Sequence, residues 1–118
     1  MTISYNPNEN PVYIVQKQLD AYNAQDIDAF MATYTEDVEI YNFKTGELLY
    51  SGQEKMRASY AKMFQDNPNN HAEITNRTVQ GNYVIDQELV TGRAGREPYT
   101  AVAIYEVQDG LIKRVSFI

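Results

Sequence analysis

Asp86 and Glu88 stand two residues apart in the string Val84-Ile85-Asp86-Gln87-Glu88, which is rich in residues that favour strands. Side chains alternate across a strand, so Val84, Asp86, Glu88 and Val90 share one face, while Tyr83, Ile85, Gln87 and Leu89 share the other. A hairpin turned at Gly81-Asn82 would bring a second strand alongside and place His71, Glu73, Thr75 and Arg77 on the face of the two acids. Neighbouring carboxylates raise one another's pKa and histidine titrates near neutrality, so Asp86, Glu88 and His71 together could move protons. A single His among scattered acids has no fixed ligand spacing, and no metal site is expected.

The same pattern has a plainer reading. Alternating charges on an antiparallel pair also mark a solvated face held by cross-strand ion pairs. A register slip of one residue would turn the whole set outward.

Composition narrows the field around these residues. A chain of 118 residues has room for one core, and 43% hydrophobic with 22% charged residues is a globular balance. A single domain over residues 1–118 is expected, with residues 1–10 as an N-terminal extension. The absence of cysteine excludes a disulfide framework, a thiolate metal site and a cysteine nucleophile, and is compatible with a reducing, cytoplasmic location. The polar start from Met1 to Pro11 reads as neither a secretory signal nor a membrane span. A net charge of −6 with scattered Lys and Arg argues against nucleic acid as a partner. Ten tyrosines without a tryptophan is the unusual feature, suited to a core or to a polar-tipped cavity.

The elements that would position these groups follow from periodicity. Asn10 and Pro11 read as the cap and first residue of a helix with the stripe Val12, Val15, Leu19 and Tyr22, ending near Asn23. Asp26 caps a second helix with Ile27, Phe30, Met31 and Tyr34 inward. Short strands follow at Val38 to Phe43 and Leu48 to Tyr50. Ser51 and Glu54 form a capping-box pattern ahead of a third helix from Gly52 to about Gln65. From His71 the period becomes two, with strands near 71–80, 82–92, 98–108 and 111–118.

This order resembles the cone-shaped superfamily of nuclear transport factor 2, ketosteroid isomerase and the SnoaL-like polyketide cyclases. Local strings carry the resemblance: Leu19-Asp20-Ala21-Tyr22 with Asp26-Ile27-Asp28-Ala29-Phe30, Tyr34-Thr35-Glu36-Asp37-Val38, Tyr50-Ser51-Gly52, and Asp109-Gly110-Leu111-Ile112. The resemblance implies an α+β fold in which a curved, mixed, mainly antiparallel sheet wraps N-terminal helices, a cystatin-like α+β barrel. It also implies that Asp86 and Glu88 line the cavity.

Carried over to this chain, the isomerase's general base falls at Asn42, its oxyanion-hole tyrosine at Gln18 and its protonated aspartate at Ala103, none of which supplies that chemistry. Tyr34 and Tyr60 match its supporting tyrosines. Asn42 also matches the water-positioning asparagine of the superfamily's epoxide hydrolases, although their Asp-Arg-Asp relay has no counterpart in Val84 to Glu88. The pocket expected from this comparison draws on Gln18, Tyr22, Tyr34, Asn42 and Tyr60, with Phe64, Arg77, Ala103 and Phe117.

Two function classes result. One is a protein that binds a small, largely apolar molecule, with an isomerase, cyclase or hydrolase using Asp86 or Glu88 with Asn42 as its catalytic variant. The other is a non-catalytic dimerisation module whose tyrosines fill the cone. No cofactor is implied. Tyr83, Ile85 and Leu89, with Val102 and Ile104 on the next strand, would make an apolar outer face through which a homodimer is expected.

Overall fold

The computed structural model describes residues 10–118, so most of the expected N-terminal extension lies outside the described residues. Three helices and six strands follow in the order α1 (Pro11–Ala24), α2 (Ile27–Met31), β1 (Tyr34–Asn42), β2 (Leu48–Ser51), α3 (Gln53–Asp66), β3 (His71–Gln80), β4 (Tyr83–Thr91), β5 (Tyr99–Gln108) and β6 (Leu111–Phe117). Helix starts obey local chemistry in two of three cases. Asn10 Oδ1 accepts from the Val12 N–H at 3.0 Å, and Asp26 Oδ1 from the Ala29 N–H at 3.1 Å.

The third helix begins differently from the expected capping box. Ser51 stays in β2, paired with Glu39, and Gly52 takes the cap position at φ 90°, with no side-chain cap bond. A side chain rarely tolerates that angle, whereas glycine does. The Gln53 amide replaces the box by donating to the carbonyls of Met31 at 3.1 Å and Tyr34 at 2.9 Å, which ties α3 to α2 and β1.

The strands form one mixed sheet in the order β2-β1-β6-β5-β4-β3. Among the described residues only the β1–β6 pairing is parallel. The sheet curves without closing, leaving β2 and β3 as its edges. Strand β1 starts at Tyr34, earlier than the alternation from Val38 suggests, because Tyr34 pairs with Ile112 of β6. Tyr34 is thus a buried strand residue rather than a helical one.

The inner face of the sheet packs against the helices around Val15, Phe30, Met31, Met56, Val84 and Ile112, each at most 1% exposed. Ile14, Val15, Gln18 and Ala21 form the buried face of α1, while Val12, Leu19 and Tyr22 of the expected stripe are half-buried at its margin. Burial on α1 spreads sideways because the helix touches α2 as well as β3, β4 and β6. Among the described residues no helix is long and apolar enough to cross a membrane.

The Asn67 to Asn70 turn fastens the helical layer to the β4–β5 loop. Asn67 is buried, accepting from the Ala94 N–H at 2.8 Å and donating to the Met63 carbonyl at 2.9 Å. Gly92 sits so close that a Cβ there would lie 1.8 Å from the Asn69 carbonyl oxygen, at a φ of +75°. Backbone approaches backbone here, and the loop's position is set by that contact.

Candidate functional site

A bulge in β3 decides which charged residues meet. Ile74 pairs with Glu88 and Asn76 with Gln87, so Thr75 is an extra residue whose hydroxyl donates to the Gln87 carbonyl at 3.2 Å. The parity of the strand changes across it. Arg77 pairs with Asp86 on the inner face, whereas His71 and Glu73 pair with Thr91 and Leu89 and are exposed. The structure therefore does not bring His71 to the two acids. Among the described residues, no group of three or more His, Asp or Glu could hold a metal ion.

Asp86 and Glu88 share a face yet have different surroundings. Asp86 is 1% exposed, and both its oxygens accept from Arg77, Nε at 2.7 Å and Nη2 at 2.8 Å. Arg77 Nη1 also donates to Gln16 Oε1 at 2.8 Å, joining the hairpin to α1. This bidentate pair consumes the carboxylate. Neither partner lines the adjoining cavity.

Glu88 does line it. The cavity, about 260 Å³, lies between α1, α3 and the inner face of the sheet. Gln18, Tyr22, Tyr34, Tyr60, Glu88 and Phe117 contribute to its walls. Burial, aided by the nearby Asp86 charge, raises the Glu88 carboxyl to about 7, against the pull of a Tyr105 hydrogen bond and of Arg77. Burial also pushes the hydroxyls of Tyr34, Tyr60 and Tyr105 well above the usual tyrosine range. They remain neutral donors throughout the range in which Glu88 titrates. Gln18 is 5% exposed, and its Oε1 has no hydrogen-bond partner among the described residues.

Besides Arg77, three expected pocket residues lie elsewhere. Asn42 ends β1, and its Oδ1 accepts from the Thr45 N–H at 3.2 Å, so it shapes the β1–β2 turn. Ala103 is fully buried between Asp86 and Phe117 on the neighbouring strands. Phe64 packs in an aromatic cluster, its ring centroid 5.6 Å from that of Tyr22 and 5.9 Å from that of Phe30.

The family model of the SnoaL-like domain matches residues 15–115. The chain belongs to the SnoaL-like domain family. A cystatin-fold protein of Novosphingobium aromaticivorans, itself uncharacterised, is 33% identical with a TM-score of 0.83 over 92% of this chain and 97% of that one. A Kribbella flavida protein provisionally assigned as a ketosteroid isomerase is 27% identical, with a TM-score of 0.71 over 91% of this chain and 75% of that one. An epoxide hydrolase-like protein of Mycobacterium tuberculosis, 18% identical with a TM-score of 0.75 over 91% of this chain and 80% of that one, shares the fold. No curated protein matches.

Within this SnoaL-like domain the cavity also uses residues that the sequence reading passed over. Tyr105 stands two residues beyond Ala103 on β5, and strand alternation would have pointed to it. Tyr50 and Tyr99 carried only their residue type as a signal. Arg93 comes from the β4–β5 loop, where no period applies, and is placed by its Nε donating to Asn70 Oδ1 at 3.0 Å.

Proposed function

We propose that this SnoaL-like protein binds a small, largely apolar molecule in the tyrosine-lined cavity and that Glu88 exchanges a proton with it. The supporting observation is a cavity walled by six tyrosines and Phe117 that Glu88 also lines. The volume is below the roughly 300–1,000 Å³ of sites for drug-sized molecules, so the ligand is compact. A carboxyl that titrates near neutrality can take or return a proton at working pH, and the tyrosines are neutral donors for an oxygen that gains charge. Such chemistry is common to isomerases, cyclases and hydrolases. Asp86, held by Arg77, and Asn42, held in its turn, have no part in this reading.

Deuterium uptake tests both halves of the proposal. Small cyclic ketones in D₂O should exchange their acidic C–H groups faster with the protein, and Glu88→Gln should lower the enhancement about hundredfold. Ala101→Phe, which fills the cavity from β5, should abolish both uptake and saturation-transfer NMR signals from bound ketone. Binding that survives the filled cavity would refute the site. Exchange that survives Glu88→Gln would refute the role of the carboxyl.

We further propose that two copies associate through the outer sheet face. Ile85 pairs with Ile104 and Gln87 with Val102 there, and Tyr83 is 40% exposed. Sedimentation velocity at micromolar concentration should show a dimer that Ile85→Lys converts to monomer. A wild-type monomer would contradict this proposal.

A further inference from the structure

The ligand's charge can be argued from the arginines. Arg57 pairs with Asp28, Arg77 with Asp86, and Arg114 with Glu39 and Glu106. Arg93 lines the cavity and has no carboxylate within ion-pair distance among the described residues. Its direction is fixed nonetheless. Nε donates to Asn70 Oδ1 at 3.0 Å, Asn70 in turn donates to the Tyr22 hydroxyl at 2.6 Å, and the guanidinium also acts on that hydroxyl. Asn70 is 3% exposed, so the bracket is part of the packed structure.

A guanidinium has five N–H groups in a planar fork, and these contacts leave part of the fork unused. Its neighbour reinforces the charge. Arg96, from the same loop, lies 3.5 Å above the ring of Tyr99, another cavity residue. Glu97 follows in the loop, but it is exposed and forms no ion pair with either arginine. A chain of net charge −6 thus presents one cation, Arg93, in its cavity wall, with the exposed Arg96 stacked on Tyr99 nearby.

We infer that the cavity takes a small aromatic or alicyclic carboxylate, its anionic group on the Arg93 fork and its ring among Tyr22, Tyr60 and Tyr105. The inference rests on the ligand-binding reading of the cavity and adds the class of ligand. Aromatic walls favour a ring by edge and offset contacts. Arginine favours a carboxylate by paired, charge-assisted hydrogen bonds. Glu88, protonated in part at neutral pH, opposes an anionic ligand less than a fully charged carboxylate would.

Calorimetric titration with benzoate and its neutral counterpart benzyl alcohol at pH 6 tests the inference. Benzoate should bind the wild type about tenfold or more tighter than benzyl alcohol. Arg93→Gln should remove that preference by weakening benzoate alone, and Arg93→Lys should retain part of it. Thermal melts establish that the variants fold. Should Arg93→Gln not fold, benzoate binding undiminished in Arg93→Lys would overturn the inference, because the fork would be dispensable. Equal binding of the two probes by the wild type overturns the anion inference and leaves the cavity reading intact. Failure of both probes to bind at millimolar concentration overturns both.

Discussion

Arg77→Leu is expected to lower the free energy of unfolding by about 3–5 kcal/mol, a large part of the roughly 5–15 kcal/mol that a domain of this size has. The cause is the acid that the substitution leaves behind. Asp86 is 1% exposed, and both its oxygens are bonded to Arg77. Val84 and Ala103 beside it are fully buried and offer no replacement donor. Removing both charges in Arg77→Leu with Asp86→Leu should recover much of the loss, since the unpaired charge rather than the missing attraction dominates the cost. Urea unfolding of the two single variants and the double variant measures the coupling. A loss below about 1 kcal/mol in Arg77→Leu would make the pair an ordinary surface bridge and sink this account.

The same pair shows how far the sequence could be read. Alternation along β4 correctly put Asp86 and Glu88 on one face, and the Gly81-Asn82 turn correctly opposed them with β3. Alternation says nothing of an inserted residue. The bulge at Thr75 kept Arg77 inside and sent His71 and Glu73 outside, because one extra residue reverses parity. Hairpin geometry also could not distinguish the two acids. That difference depends on Arg77 being long enough to reach Asp86 and on the helices that desolvate Glu88.

Loop-borne parts of the site were invisible for a related reason. Helix caps at Asn10 and Asp26 are local and were legible, whereas Arg93 is placed by Asn70, a residue 23 positions away in the chain. Asn42 illustrates the converse. The resemblance assigned it a place in a pocket, yet its amide closes the turn to Thr45. The fold follows from local patterns of periodicity and capping, while the site depends on contacts between segments that carry no common period.

Glu88→Gln should change the pH dependence of stability more than stability at any one pH. In the folded protein Glu88 titrates at about 7, against 4.5 for the free group, so the folded state keeps a proton that the unfolded chain releases. Where the folded state binds more protons, stability falls as pH rises. The contribution of Glu88 is complete below pH 4.5 and disappears as pH passes 7, leaving a buried charge above it. At 1.36 kcal/mol per pKa unit, the swing approaches about 3 kcal/mol. Glutamine does not titrate, so the variant should gain on the wild type by up to that amount between pH 4.5 and 8.5. Other groups that titrate in this window cancel in the comparison, and Tyr34, Tyr60 and Tyr105, shifted upward, stay neutral throughout it. Urea unfolding of both proteins at pH 4.5, 6 and 8.5 measures the effect, and parallel curves would show that Glu88 is not desolvated. The same titration governs the proposed chemistry with opposite sign. A base must be deprotonated, so deuterium uptake should rise as pH passes about 7, while the protein gives up the stability that the proton supplied.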